Sequence, residues 1–155
     1  MAKFKRVLLV EDDPHDVELT LTALEDNHLV NEVEVVNDGE AALDYLYHRG
    51  AYTAKPGGNP AVVLLDLKLP KINGIEVLRQ IRSDEKMKMI PIVILTSSRE
   101  EKDLVESYRL SVNAYVVKPV KFGEFIESVR QIGLFWAITN ETPPGSIKRG
   151  DTRTW

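Results

Sequence analysis

The sequence predicts one α/β domain built on a doubly wound, five-stranded parallel sheet, and three observations carry that reading. Short, nearly unbroken apolar runs recur five times along the 155 residues. Each is followed by a longer stretch with helical periodicity, and several of the runs end in carboxylate, hydroxyl or ammonium side chains. Apolar runs without alternation suit strands covered on both faces, and strands that alternate with helices suit a parallel sheet. A chain of this length buries roughly two thirds of its unfolded surface and leaves no room for a second domain.

The first run, Arg6 to Val10, ends in Glu11-Asp12-Asp13. Asp13 is a good N-cap with Pro14 at the first helical position, and Val17, Thr20, Leu21 and Leu24 follow at helical spacing, with the helix fading around Asn27. Glu32 to Val36 is a short strand that leads into a turn at Asn37-Asp38-Gly39. Asp38 then caps a helix expected to run through Arg49, with Gly50 as its stop. The stretch from Gly50 to Pro60 is longer than most αβ connections and reads as a surface excursion.

The central run, Pro60-Ala-Val-Val-Leu-Leu-Asp66, places a carboxylate at the tip of a buried strand. Asn73 caps the next helix, with Gly74, Val77, Leu78 and Ile81 along one face. Ile92 to Leu95 is the fourth strand and ends in Thr96-Ser97-Ser98, hydroxyls suited to capping the helix that carries Glu100, Glu101, Leu104, Val105 and Tyr108. Ala114 to Val117 is the fifth and ends in Lys118-Pro119. Phe122, Phe125, Ile126, Val129 and Ile132 mark the last helix, which can run on through Phe135 and Trp136. Right-handed crossovers leave few arrangements. In the flavodoxin-like order 2-1-3-4-5 the Asp66 strand is central, between the Glu11-Asp12 strand and the Thr96 strand.

Composition excludes several classes of function. The formal net charge is -4, from 24 acidic and 20 basic residues, which is no footprint of a nucleic-acid binder. There is no cysteine, hence no disulfide and no thiolate chemistry. No apolar run approaches the roughly 20 residues of a membrane span. A cytoplasmic protein is expected.

Glu11, Asp12 and Asp66 at one sheet edge would repel one another, so at least one should have a raised pKa unless a cation relieves it. All-oxygen ligands suit a hard ion, and Mg²⁺ takes one or two carboxylates with waters and a phosphate oxygen. An aspartate can itself attack phosphorus to form an acyl phosphate. A metal ion, the Lys118 ammonium and the Thr96 hydroxyl would then stabilise the transferred group, because phosphoryl transfer is catalysed mainly by positioning and electrostatics.

The ordered set Glu11-Asp12, Asp66 with Leu69-Pro70 and Gly74, Thr96-Ser97, and Tyr115-x-x-Lys118-Pro119 resembles the receiver domain of two-component response regulators. The likeness spans roughly residues 5 to 132. It implies that Asp66 accepts a phosphoryl group from a histidine of a sensor kinase, in a reaction that is phosphoacceptance with slow self-dephosphorylation rather than enzymatic turnover. It further implies a Mg²⁺ held by Asp12, Asp66 and the backbone carbonyl of Lys68, with Glu11 acting through water. Thr96, Ser97 and Lys118 would contact the phosphoryl oxygens, Tyr115 would turn inward with Thr96, and the Lys118-Pro119 bond would be cis. Leu69 stands where the family most often has Met, and Glu11 where many members have Asp. The long Gly50 to Pro60 loop, the tail from Gly133 to Pro144 and the lack of an output domain resemble the stand-alone regulators paired with cyanobacterial phytochrome kinases.

Two other readings are weaker. A phosphatase of the haloacid dehalogenase type also forms an aspartyl phosphate with Mg²⁺, but needs a second Asp two residues after the nucleophile, where this chain has Lys68. A flavodoxin-like FMN carrier needs a phosphate cradle after the first strand, where Glu11-Asp12-Asp13 would repel it. His15, His28 and His48 lack metal-ligand spacing and read as surface residues. Taken singly, Asp13 is a cap, Tyr115 a half-buried strand aromatic and Lys118 a surface charge. A homodimer or kinase-docking surface is expected on the fourth helix, fifth strand and last helix, through Tyr108, Phe122 and Phe125. The domain is placed at residues 1–144, and 145–155, without apolar periodicity, as a disordered tail.

Overall fold

The computed structural model describes residues 6–29, 32–54 and 57–147. Five strands, β1 (Val7–Val10), β2 (Val33–Val36), β3 (Val62–Leu65), β4 (Ile92–Thr96) and β5 (Ala114–Val117), pair in parallel in the order β2-β1-β3-β4-β5. This is the doubly wound arrangement that the alternation predicts. The helices between them are α1 (Pro14–Glu25), α2 (Gly39–Tyr47), α3 (Gly74–Ser83), α4 (Glu101–Arg109) and α5 (Phe122–Gly133).

Successive strand residues point to opposite faces, so each central strand feeds two cores. Leu8, Val10, Val63, Leu65, Ile92 and Ile94 pack with α2 and α3 on one side. Val7, Leu9, Val62, Leu64, Val93 and Leu95 pack with α1 and α5 on the other. β1, β3 and β4 are buried throughout, as their unbroken apolar runs require, while the edge strands β2 and β5 are mostly half-buried.

Local chemistry starts three of the helices where expected. Asp13 accepts from the backbone N–H of His15 at 2.9 Å, with Pro14 next in the chain. Asp38 accepts from Ala41 at 2.7 Å, and Asn73 from Glu76 at 3.0 Å. Each bond satisfies an amide that the first helical turn leaves free.

Other boundaries differ from expectation. α2 ends at Tyr47 rather than Arg49, because His48 turns left-handed (φ 56°) and its N–H closes back on Asp44 and Tyr45. Gly50–Tyr52 then forms one 3₁₀ turn, with the Tyr52 ring edge-on to Tyr45 at 5.2 Å. At α4 no hydroxyl is the cap: Glu100 holds that position without a side-chain bond, and Ser98 Oγ instead accepts from Glu100 N–H ahead of the helix. α5 continues as a π-helical turn, Leu134–Thr139, through Phe135 and Trp136.

The Lys118-Pro119 peptide is trans, as are all peptides among the described residues; trans is the intrinsically favoured isomer of an X-Pro bond. Gly145 to Ile147, expected to begin a disordered tail, pair with the loop before β3: Asn59 N–H donates to Gly145 O at 2.9 Å and Ile147 N–H to Asn59 O at 2.6 Å. The rest of that tail lies outside the described residues. No helix among the described residues is long and apolar enough to cross a membrane.

Candidate functional site

Parallel register brings the polar strand ends level at the carboxyl edge of the sheet. The ladder continues one residue past the strands: Glu11 N–H donates to Val36 O, Asp66 N–H to Val10 O and Lys118 N–H to Thr96 O, at 2.7 to 3.1 Å. Gly74 closes the floor on one side. A Cβ there would lie 2.3 Å from the Asp66 carbonyl oxygen, so only glycine lets the start of α3 seat on the β3 loop, and its N–H donates to Leu67 O at 2.9 Å.

Glu11, Asp12 and Asp66 each present a carboxylate oxygen within 4.8 Å of the others, the one such group of three among the described residues. Glu11 and Asp66 are buried and Asp12 is exposed, so the cluster opens to solvent on one side. Hard oxygen donors at this spacing fit a hard divalent cation. Lys118, its side chain 8% exposed, reaches in from the end of β5. Its ammonium contacts Glu11 and donates to Asp16 at 2.8 Å and to Asp66 at 2.9 Å. The other oxygen of Asp66 accepts from Thr96 Oγ1 at 2.8 Å and from the backbone N–H of Lys68 at 3.2 Å.

The expected conflict among the acids falls on Glu11. Burial pushes its carboxyl up to about 7, and the hydrogen bond and charge of Lys118 offset only part of that. Burial acts on Asp66 too, but the charge and hydrogen bond of Lys118, with the bonds from Thr96 and Lys68, outweigh it and hold Asp66 below its ordinary range. Burial alone would lower Lys118; its bonds to Asp16, Glu11 and Asp66 win and raise it. The result is an ionised carboxylate, itself buried and fixed through both oxygens.

The remaining site residues are spread over this corner and its rim. Tyr115 is half-buried, and its hydroxyl donates to Ser98 O at 3.1 Å, across the loop after β4. Ser97 is exposed beside Lys118 at the mouth of a shallow pocket; the buried hydroxyl is that of Ser98, whose N–H donates to Thr96 Oγ1. On the expected partner surface, Tyr108 and Phe122 are 55% and 59% exposed. Phe125 is not part of that surface. It is 3% exposed and belongs to the stripe with Val129 and Ile132 that α5 buries against α1 and the sheet.

Sequence reasoning overlooked Asp16 as a site residue. An acid in the first turn of α1 is explained well enough by the helix dipole, and only the crossing of Lys118 from β5 reveals the contact.

Comparison with known proteins agrees with this geometry. The response regulator receiver domain family matches residues 7–130. The response regulator Rcp1 of Synechocystis sp. is 38% identical over 139 residues, 90% of this chain and 93% of Rcp1. Its Mn²⁺-bound form superposes with a TM-score of 0.83 over 90% of this chain and 99% of that one. The phosphorylated cyanobacterial phytochrome response regulator RcpA is 40% identical, with a TM-score of 0.84 over 90% of this chain and 98% of its own. The bacteriophytochrome response regulator RtBRR is 60% identical, with a TM-score of 0.72 over 94% and 87%. With a buried aspartate at the tip of β3, flanked by two acids, a hydroxyl and an ammonium at the neighbouring strand ends, the chain belongs to the response regulator receiver domain family, close to its phytochrome-associated members.

Proposed function

We propose that the protein is a cytoplasmic response regulator whose Asp66 accepts a phosphoryl group from a histidine of a phytochrome-type sensor kinase. The observation that carries this reading is the state of Asp66: buried, held ionised by Lys118, Thr96 and the Lys68 amide, and next to an acidic cluster of hard-ion donors. A groove of about 580 Å³ between the β1 and β3 loops, α3 and α4, lined by Asp12, Lys68, Pro70 and Asp103, opens beside this corner.

In the reaction, an Asp66 oxygen forms the bond to phosphorus as the P–N bond to the donor imidazole breaks. The electron pair stays on that nitrogen, which takes up a proton. A Mg²⁺ held by Asp12, Asp66 and the Lys68 carbonyl, with Glu11 through water, would supply positive charge to the phosphoryl oxygens. Lys118 and Thr96 turn from the free carboxylate to the same oxygens, with Ser97 at the rim. Later attack by water on phosphorus returns the aspartate, so the cycle is a timed switch rather than turnover of an outside substrate.

The message passes by protein contact. Thr96 moving toward the phosphoryl group vacates space that Tyr115 follows into, releasing Ser98, and the surface of α4, β5 and α5 changes. Homodimerisation or kinase docking then uses the exposed Tyr108 and Phe122, with Leu104 and Val105 beside them. Replacing Tyr108 and Phe122 together with Ser should weaken self-association measured by sedimentation; an unchanged profile would remove this face as the interface.

The central test is intact mass after incubation with acetyl phosphate and Mg²⁺. A gain of ~80 Da, one phosphoryl group on an aspartate nucleophile, is expected in the wild type. It should vanish with a chelator and in Asp66→Asn. A wild-type protein that takes up no phosphoryl group would overturn the reading.

A further inference from the structure

Lys118 has three ammonium protons and three carboxylates around it, Glu11, Asp66 and Asp16. These acceptors are not equivalent. Glu11 and Asp66 belong to the group whose oxygens lie within 4.8 Å of one another, together with Asp12, and Asp16 does not. Any divalent ion or phosphoryl group at that cluster competes with Lys118 for Glu11 and Asp66, and leaves its bond to Asp16 untouched. Asp16 is also rigidly mounted. It lies in the first turn of α1, where Pro14 fixes the backbone and the Asp13 carboxylate accepts from the N–H groups of both His15 and Asp16. Lysine is a point charge on a flexible four-carbon stem, so without such a mount its ammonium can take many directions.

We propose that Asp16 is a positioning residue: it keeps one N–H of Lys118 pinned from the α1 side, so that the other two stay aimed at the phosphoryl oxygens throughout transfer. The inference rests on the phosphoacceptor reading of Asp66 and goes beyond it, because it assigns a role to a residue outside the acid, hydroxyl and lysine set. An acid at this helix position is otherwise explained by the α1 dipole alone, and the two roles separate experimentally. A dipole role affects stability and is shared by any acid near the start of the helix. A positioning role affects the transfer rate without affecting ion binding.

The test measures the initial rate of acetyl-phosphate phosphorylation by intact mass, and Mg²⁺ binding by calorimetry. The proteins are the full-length wild type, Asp16→Ala, Asp16→Asn and Glu18→Ala. Misdirecting one charged contact is expected to slow Asp16→Ala by about tenfold, with Mg²⁺ affinity within about twofold of wild type. Asp16→Asn, which keeps an acceptor oxygen toward Lys118, should recover most of the rate. Glu18→Ala, which removes an exposed acid from the same helix, should match wild type. An Asp16→Ala rate equal to wild type would overturn the proposal, as would a loss of Mg²⁺ affinity in step with the rate or a Glu18→Ala defect of the same size. A wild type that acquires no phosphoryl group would instead overturn the reading of Asp66, and with it this proposal.

Discussion

α3 and α4 are neighbours of similar length beside the same groove, and they are held in opposite ways. α3 buries Gly74, Val77, Leu78 and Ile81 along its whole length and starts on the Asn73 cap. α4 buries only Ser107, and Leu104, Val105 and Tyr108 are 40%, 41% and 55% exposed. Its attachments are polar and concentrated toward its ends. Ser98 Oγ donates to Asp103 at 2.6 Å near the start, and Arg82 of α3 donates to Leu110 O and Ser111 O at 2.9 and 3.0 Å just past the last turn. Arg79 reaches Glu106 at 3.2 Å between them. Elements with few buried apolar contacts open at low free-energy cost, which is what a switching element needs. The helix fixed by burial carries the floor of the site, and the helix fixed by polar contacts follows the loop that holds Ser97 and Ser98.

The largest effect that would sharpen this contrast is a truncation at matched chemistry. Ile81→Ala should cost about 2–5 kcal/mol in urea unfolding, the range for a buried aliphatic side chain. Leu104→Ala should cost no more than about 0.5 kcal/mol, as for an exposed site. Equal costs would mean that α4 is packed as firmly as α3, and the contrast would fail.

Arg82 comes next. Its guanidinium also donates to Lys88 O and Ile90 O at 2.8 and 2.9 Å, so it ties α3 to the approach to β4 as well as to the end of α4, and burial lowers its pKa. Arg82→Ala strands the part-buried carbonyls of Leu110 and Ile90 and should cost about 1–3 kcal/mol. Amide exchange should accelerate over residues 107–113 and stay unchanged in the first turn of α3. No acceleration at the end of α4 would show that something other than Arg82 anchors it.

Smaller effects should follow the same division. Asn73→Ala should lose about 1 kcal/mol with its cap bond, whereas Glu100→Ala, at the corresponding position of α4 and without such a bond, should lose a few tenths at most. The exposed Arg79–Glu106 pair should show little coupling in a double-mutant cycle, and less in high salt. A larger coupling would make this pair, rather than the helix ends, the main tether of α4.

The sequence spoke most clearly where one local rule decided the outcome. Spacing alone predicts Asn73 as cap and Gly74, Val77, Leu78 and Ile81 as one face, and the structure has that set. Asp13-Pro14 started α1 for the same reason, since cap geometry involves only residues within one turn. The same reasoning overextended α2 by two residues, because the left-handed turn at His48 has no strong signal in its residue type. It also treated Phe122 and Phe125 as one surface, although the helix buries the second and exposes the first.

What the sequence determined by itself was the order of the elements, the parallel sheet and the five strand-end residues Glu11, Asp12, Asp66, Thr96 and Lys118, because strand polarity and crossover handedness carry those ends to one edge. What the tertiary structure decided was how the residues meet there. Whether Asp66 or Glu11 carries the burden of the crowded charge, whether Ser97 or Ser98 lies inside, and whether Asp16 touches Lys118 all depend on distances between segments far apart in the chain. Periodicity shows which face of a helix is apolar. Only the packed fold shows whether anything covers it, and for α4 nothing among the described residues does so fully.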